Sequence, residues 1–127
     1  MPADGTSGHV AADRRSLLRW QWQGYPRFHR DRVNLLIHIV AVPAFSLGAL
    51  ALPLALAWGR PGLGVAGLTA MVLSLAAQGR GHAREENPPE PFSGPREFVA
   101  RLFAEQFLTF PRFVLSGGWR RALRGPG

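Results

Sequence analysis

The sequence has no cysteine and no lysine. Without cysteine there is no disulfide and no thiolate metal site, and the redox compartment stays open. Without lysine, all 15 basic residues are arginine. Gly, Ala and Pro are abundant as well, so arginine in place of lysine reads as coding bias and carries little functional weight. An apolar h-region is missing from Met1 to Trp20, so no cleavable signal is expected there. At 127 residues there is room for one domain (1–127).

The most informative absence is charge. Val33 to Trp58 is a run of 26 residues without a formal charge. Gly59-Arg60-Pro61-Gly62 interrupts it, and Leu63 to Ala77 resumes the apolar pattern. The first run exceeds the ~20 apolar residues that cross a bilayer core, and the second, taken over 61–78, reaches the lower limit of ~17. A short break rich in Gly and Pro between two helical runs reads as a tight hairpin. The expected fold class is an all-α membrane protein, a two-helix transmembrane hairpin (33–58 and 61–78) with flanking interfacial amphipathic helices. The net charge of +7 would also suit a nucleic-acid binder, but a charge-free run of this length argues against nucleic acid as a partner. Six arginines precede the first span, eight follow the second, and only Arg60 lies in the turn. The positive-inside rule then places both termini in the cytoplasm.

Residues 1–15 are small, polar and aperiodic, and are expected to be a disordered arm with His9 an exposed bystander. Ser16 to Phe28 mixes Trp20, Trp22, Tyr25 and Phe28 with arginines, which suits an interfacial helix broken at Pro26. Asp31 is an N-cap candidate for the first span. Pro43 and Pro53 would each cost about 3 kcal/mol inside a helix in water, but membrane helices tolerate them. Ala41, Ala44 and Gly48 on one span and Ala66, Ala70 and Ser74 on the other form small-residue stripes along which the two can pack. Residues 80–94 form a Pro-rich loop. An amphipathic helix follows over 95–110, with Pro95 at its first position and Pro111 ending or kinking it. Its apolar face is Phe98, Val99, Leu102, Phe103, Gln106, Phe107 and Phe110; Arg96, Glu97, Arg101 and Glu105 form the polar face.

Two polar side chains enter the first span, Asn34 and His38, four apart and so on one face. Polar groups inside membrane segments are functional candidates by default. The second span ends in Gln78, Gly81 and His82, followed by Glu85 and Glu86. A hairpin turning between Gly59 and Arg60 sets residues whose numbers sum to about 119 at one depth, so His38 meets Gly81 to within one residue of His82, roughly 1.5 Å. Asn34 then lies level with Glu85. His29 is about 180° from His38 on a continuous helix, and joins the group only if the chain bends between them, as an N-cap at Asp31 permits. Three histidines and a carboxylate suit iron(II) or zinc(II). The same residues also suit a hydrogen-bonded polar knot between two membrane helices.

At His29-x4-Asn34-x3-His38-x4-Pro43 and Gln78-x2-Gly81-His82, with Glu85 or Glu86 and Pro88, the chain resembles a family of small membrane proteins formerly grouped as a domain of unknown function. The likeness runs from about Tyr25 to Pro91, and more weakly to Glu105 and Pro111. A fungal member of that family is an iron(II)-dependent dioxygenase of 2-hydroxy fatty acids that acts in their alpha-oxidation. The resemblance implies Fe(2+) on His29, His38 and His82, with Asn34 and Glu85 or Glu86 as catalytic candidates. It also implies a 2-hydroxy fatty acid whose acyl chain lies along the span. Gln78, Arg80 and Arg84 are the substrate-binding candidates, either arginine receiving the carboxylate. The alternative is a non-enzymatic hairpin that binds anionic lipid or a protein partner.

Overall fold

In the computed structural model, which describes residues 14–125, Asp31 starts the longest helix by accepting the Asn34 N–H at 2.9 Å, the bond an N-cap makes. This helix, α2 (Arg32–Trp58), runs through both Pro43 and Pro53. It ends at Gly59, whose left-handed backbone (φ 60°) lets the Arg60 N–H return to the Ala55 carbonyl at 2.9 Å. That is the six-to-one bond of a Schellman ending, and glycine occupies its left-handed position at no steric cost. Pro61 then opens α3 (Pro61–His82), so the two helices form a hairpin with a two-residue turn. Both are long and apolar enough to cross a membrane.

Before the hairpin stands α1 (Arg14–Phe28). After it come α4 (Pro95–Ala104), a π-turn (Glu105–Thr109), α5 (Phe110–Leu115) and α6 (Gly118–Arg124). Every regular element among the described residues is helical. The core gathers at the open end of the hairpin, where Tyr25, Leu35, Val42, Phe110 and Phe113 are buried together and Trp22, Ile39 and Trp119 pack against them. Nearer the turn, Phe45 is buried against Phe103 and Phe107, with ring centroids 5.7 and 6.5 Å away. The chain closes on itself through α6: the Trp119 indole donates to the Leu35 carbonyl at 2.9 Å, and Arg32 donates to the Leu123 carbonyl at 3.0 Å.

Several expected boundaries move. The arm over 1–13 and His9 lie outside the described residues, whereas Arg14 and Arg15 already belong to α1. Pro26 does not break α1, which continues to Phe28. The second long helix reaches His82, four residues past Gln78. Pro111 neither ends nor sharply breaks the last long helix. Proline has no N–H, and its ring collides with the carbonyl four residues back. Here the helix widens just before Pro111, and the Phe110 N–H reaches the Glu105 carbonyl five residues back. That is the bond of a π-turn, a feature often found at functional positions.

The packing stripe of α3 also differs. Gly67, Ser74, Gln78 and Gly81 are the buried residues of that helix, and Ala66 is exposed. Gly67 faces Gly48 so closely that a Cβ on either would meet the other's carbonyl oxygen at 2.6 or 2.5 Å. Such close approach of backbones is what small residues permit between apolar helices. Ser74 donates to the Ala41 carbonyl, and Gly81 lies against Asn34 with no room for a side chain. The facing pairs Asn34/Gly81, Ala41/Ser74 and Gly48/Gly67 are offset about one helical turn from the expected depth register.

Candidate metal centre

Three backbone devices bring the titratable residues together. The chain leaves the helix at His29–Asp31, and that bend turns His29 back toward His38. Glu85 holds the bend: its carboxylate accepts the Arg30 N–H at 2.9 Å, the Asp31 N–H at 3.0 Å and the Asn34 side-chain amide at 2.6 Å. A carboxylate suits the N-terminus of a helix, where free N–H groups carry partial positive charge. The π-turn is the third device, and it begins with Glu105.

The result is one cluster. The His29, His38 and His82 rings stand edge to face, with centroids 5.1 Å apart for His29/His38 and 4.8 Å for the other two pairs. Glu105 Oε2 lies 3.3 Å from His29 Nε2 and 3.8 Å from His38 Nε2. One ligand atom from each of the four residues falls within 4.8 Å of every other. Two donors on one ion are at most roughly 4.4 Å apart, twice a bond of ~2.2 Å, so a small contraction would seat them around a cation.

The tautomers make the need for positive charge explicit. His29 Nδ1 faces the Tyr25 carbonyl at 2.9 Å, and His38 Nδ1 faces the Asn34 carbonyl at 3.0 Å. A ring nitrogen facing a carbonyl carries the proton, which leaves Nε2 of each neutral ring a bare lone pair. Both Nε2 atoms are buried without a hydrogen-bond partner, and both point at a carboxylate. Burial acts to raise the Glu105 carboxyl. The close approach of His29 and the positive potential of His29, His38 and His82 act against burial and lower it, to about 2. The carboxylate is therefore ionised, and lone pairs and anion need a cation among them: a protonated imidazole or a metal ion. A carbonyl behind the ring orients imidazoles on metals, and His29 and His38 have one, whereas the Nδ1 of His82 is buried without a partner. The donor set of three imidazoles and one carboxylate fits iron(II) or zinc(II).

Tyr25 serves the cluster twice. Its ring stacks on His29 at 3.7 Å with an interplanar angle of 12°, and its hydroxyl donates to Glu105 Oε2 at 2.7 Å. Burial and the adjacent Glu105 charge push the phenol well above its ordinary range, so it stays protonated and donates. Tyr25→Phe should keep the stack and lose the donor. Removing an outer hydrogen bond to a ligand typically weakens metal binding about 10–100-fold. Isothermal titration of the variant with zinc should show that loss, and unchanged affinity would remove Tyr25 from the site.

The sequence candidates are distributed unevenly. His29, His38 and His82 meet. Glu105 occupies the carboxylate position considered for Glu85 or Glu86; Glu85 is engaged by the α2 N-terminus, and Glu86 is exposed. Asn34 lies beside the cluster: its side-chain amide donates to Glu85, and its backbone carbonyl accepts from His38 Nδ1. Gln78 pairs reciprocally with Gln106 at 3.0 and 2.8 Å and also donates to Ser74. Arg84 donates to Asp31 at 3.1 Å, and Arg80 is exposed. Arg101 and Glu105, expected on the polar face of their helix, turn toward α1, where the Arg101 carbonyl accepts from Gln21 and Glu105 from Tyr25, while Phe98, Val99 and Phe103 on the apolar side are 40–50% exposed. The sequence signal for Glu105 was its position six residues before Pro111 in an otherwise regular helix, where a proline often forces a wider turn.

Fold and site define a helical hairpin with a three-histidine, one-carboxylate cluster at its open end. Comparison with family models, curated proteins and solved structures gives no match for this chain.

Proposed function

We propose that this chain is a membrane-embedded non-haem iron(II) dioxygenase of 2-hydroxy fatty acids, related to the family it resembles, in which the 2-hydroxy acid and O2 give the fatty acid shorter by one carbon, carbon dioxide and water. The observation that carries the reading is the pair of buried, partnerless Nε2 atoms on His29 and His38 facing an ionised Glu105. Bound iron(II) would supply open positions for O2 and for the oxygens of a 2-hydroxy acid. The protein's part is positional. His29, His38, His82 and Glu105 hold the metal, the Tyr25 and Asn34 carbonyls aim two of the imidazoles, and the Tyr25 hydroxyl fixes one Glu105 oxygen. The aromatic shell of Phe110 and Phe113 keeps bulk water from the His29 and His38 side.

Elemental analysis of anaerobically purified protein tests this directly. The expected result is near one iron per chain and O2 uptake on addition of a 2-hydroxy fatty acid. A chain that takes up no iron(II) would return the cluster to a polar knot and favour the non-enzymatic lipid or protein binder.

The membrane placement is part of the same proposal. Its support is the outward apolar surface of the hairpin, where Val40, Leu47, Leu56 and Val65 are 67–87% exposed, together with the arginines on both sides of it. In water such a surface would drive association; in lipid it needs no partner. Reporters fused before Met1 and after Gly127 should both read cytoplasmic. One reporter on the far side would exclude the hairpin orientation.

A further inference from the structure

The cluster is not sealed. A cavity of about 740 Å³ opens beside it, bounded at one end by His29, His82 and Glu105. Away from that end the walls are Trp20, Phe28, Leu75, Phe92, Phe98 and Leu102. A volume between ~300 and 1,000 Å³ with apolar walls and a few convergent polar groups is the usual form of a small-ligand site.

Polar side chains border it away from the cluster as well, among them Gln23, Glu90 and the exposed Arg27, whose guanidinium lies 5.2 Å from the Phe28 ring. Arg101 also borders it, but its guanidinium lies 4.9 Å from the Trp20 ring and 4.1 Å from the Phe92 ring. It donates to the Glu90 and Pro91 carbonyls and to the Glu97 carboxylate. With those donors engaged, Arg101 fastens the Pro-rich loop as the outer wall and is no receptor for an anionic head. Arg84 is held by Asp31, and Arg80 does not border the cavity. Two lining residues carry a buried polar atom without a partner, His29 at Nε2 and His82 at Nδ1, and His29 is only 3% exposed. At the outside, Phe92 and Phe98 remain 46% and 41% exposed, so the far wall continues into apolar surface.

We propose that this cavity, and not the outer face of α2, receives the tail of a single-chain carboxylic amphiphile whose head sits at the histidine–glutamate cluster. The head position rests on the metal-site reading above; the tail position rests on the cavity alone. The ligand then enters between α1 and α4, from the side where Phe92 and Phe98 are open. Its chain lies across the end of the hairpin, not along the first span.

Gly79 provides the test, because it borders the cavity and a Cβ there would meet nothing within 4 Å. The full chain in detergent is irradiated with dodecanoic acid carrying a terminal diazirine, and the labelled residues are mapped by mass spectrometry. Label is expected on the segment carrying Phe92, Phe98 and Leu102, and unlabelled dodecanoic acid should displace it. Gly79→Leu should cut that labelling at least about tenfold while the iron content stays unchanged, and Leu102→Trp, filling from the opposite wall, should reproduce the loss. Label confined to Leu47, Leu50 and other outward side chains of α2 would overturn the assignment. Iron without cavity label sinks the tail position and leaves the oxygenase reading standing. Cavity label without iron uptake does the reverse.

Discussion

Glu105→Ala is expected to hold no iron, as are His38→Ala and His82→Ala, and the His38/Glu105 double variant should be no worse than either single. Ligands of one ion act as a unit, so their losses do not add. Glu86→Ala should bind iron normally, since that side chain is exposed and outside the cluster. Glu85→Ala is the informative intermediate. It leaves four donors in place but removes the carboxylate that holds the Arg30 and Asp31 amides, so His29 loses its fixed bend and affinity should fall without vanishing. Metal content by elemental analysis, beside thermal melting in detergent, reads all of these. If Glu105→Ala keeps full metal while Glu85→Ala loses it, the carboxylate ligand is Glu85, and the 3.3 Å approach of Glu105 to His29 is an ion pair alone.

The second large effect is mechanical. Gly67→Leu should force α2 and α3 apart, because the space its Cβ would take is already filled by the Gly48 carbonyl and the Ala51 methyl. Overpacking a close contact costs typically ~1–3 kcal/mol, and a backbone atom as the obstacle puts this variant at the upper end. Ala66→Leu, one residue away on the exposed side, should melt like the wild type. Melting temperatures in detergent separate the two. Equal values would mean that the helices do not pack through Gly48 and Gly67.

How much of this could be read from residues alone depended on which interaction set each feature. The hairpin was legible because a charge-free run, a Gly-Arg-Pro-Gly break and a second run are local properties. That His38 and His82 lie at the same end of the hairpin was legible from the position of the turn, but the depth register was not, since the facing pairs stand about one turn away from it. That the chain can bend before the first span was legible from Asp31, whose capping chemistry is local; that the Glu85 carboxylate holds the bend was not. Gly67 in place of Ala66 was not legible: both are small, and which stripe faces α2 is decided by rotation about the helix axis, a tertiary choice. Glu105 was lost for a related reason. A constant period of 3.6 residues put it on a polar face, and in water a polar face reads as solvated. Here Arg101 and Glu105 line the cleft under α1, while Phe98 and Phe103 keep 41% and 40% of their surface exposed.

The π-turn at Glu105–Thr109 works as a phase shifter. An extra residue in one turn rotates everything after it by about 100° relative to a regular helix. Upstream, Arg101 and Leu102 belong to the cleft side; downstream, Phe110 and Phe113 belong to the core around Tyr25. A single unbroken α-helix has one angular phase for both halves and would turn one of them away from its neighbours. The cluster's carboxylate sits at the seam between the two phases. The same irregularity therefore sets where Glu105 points and whether the last two helices can pack at all, so insertions or deletions in this short stretch act on chemistry and fold together.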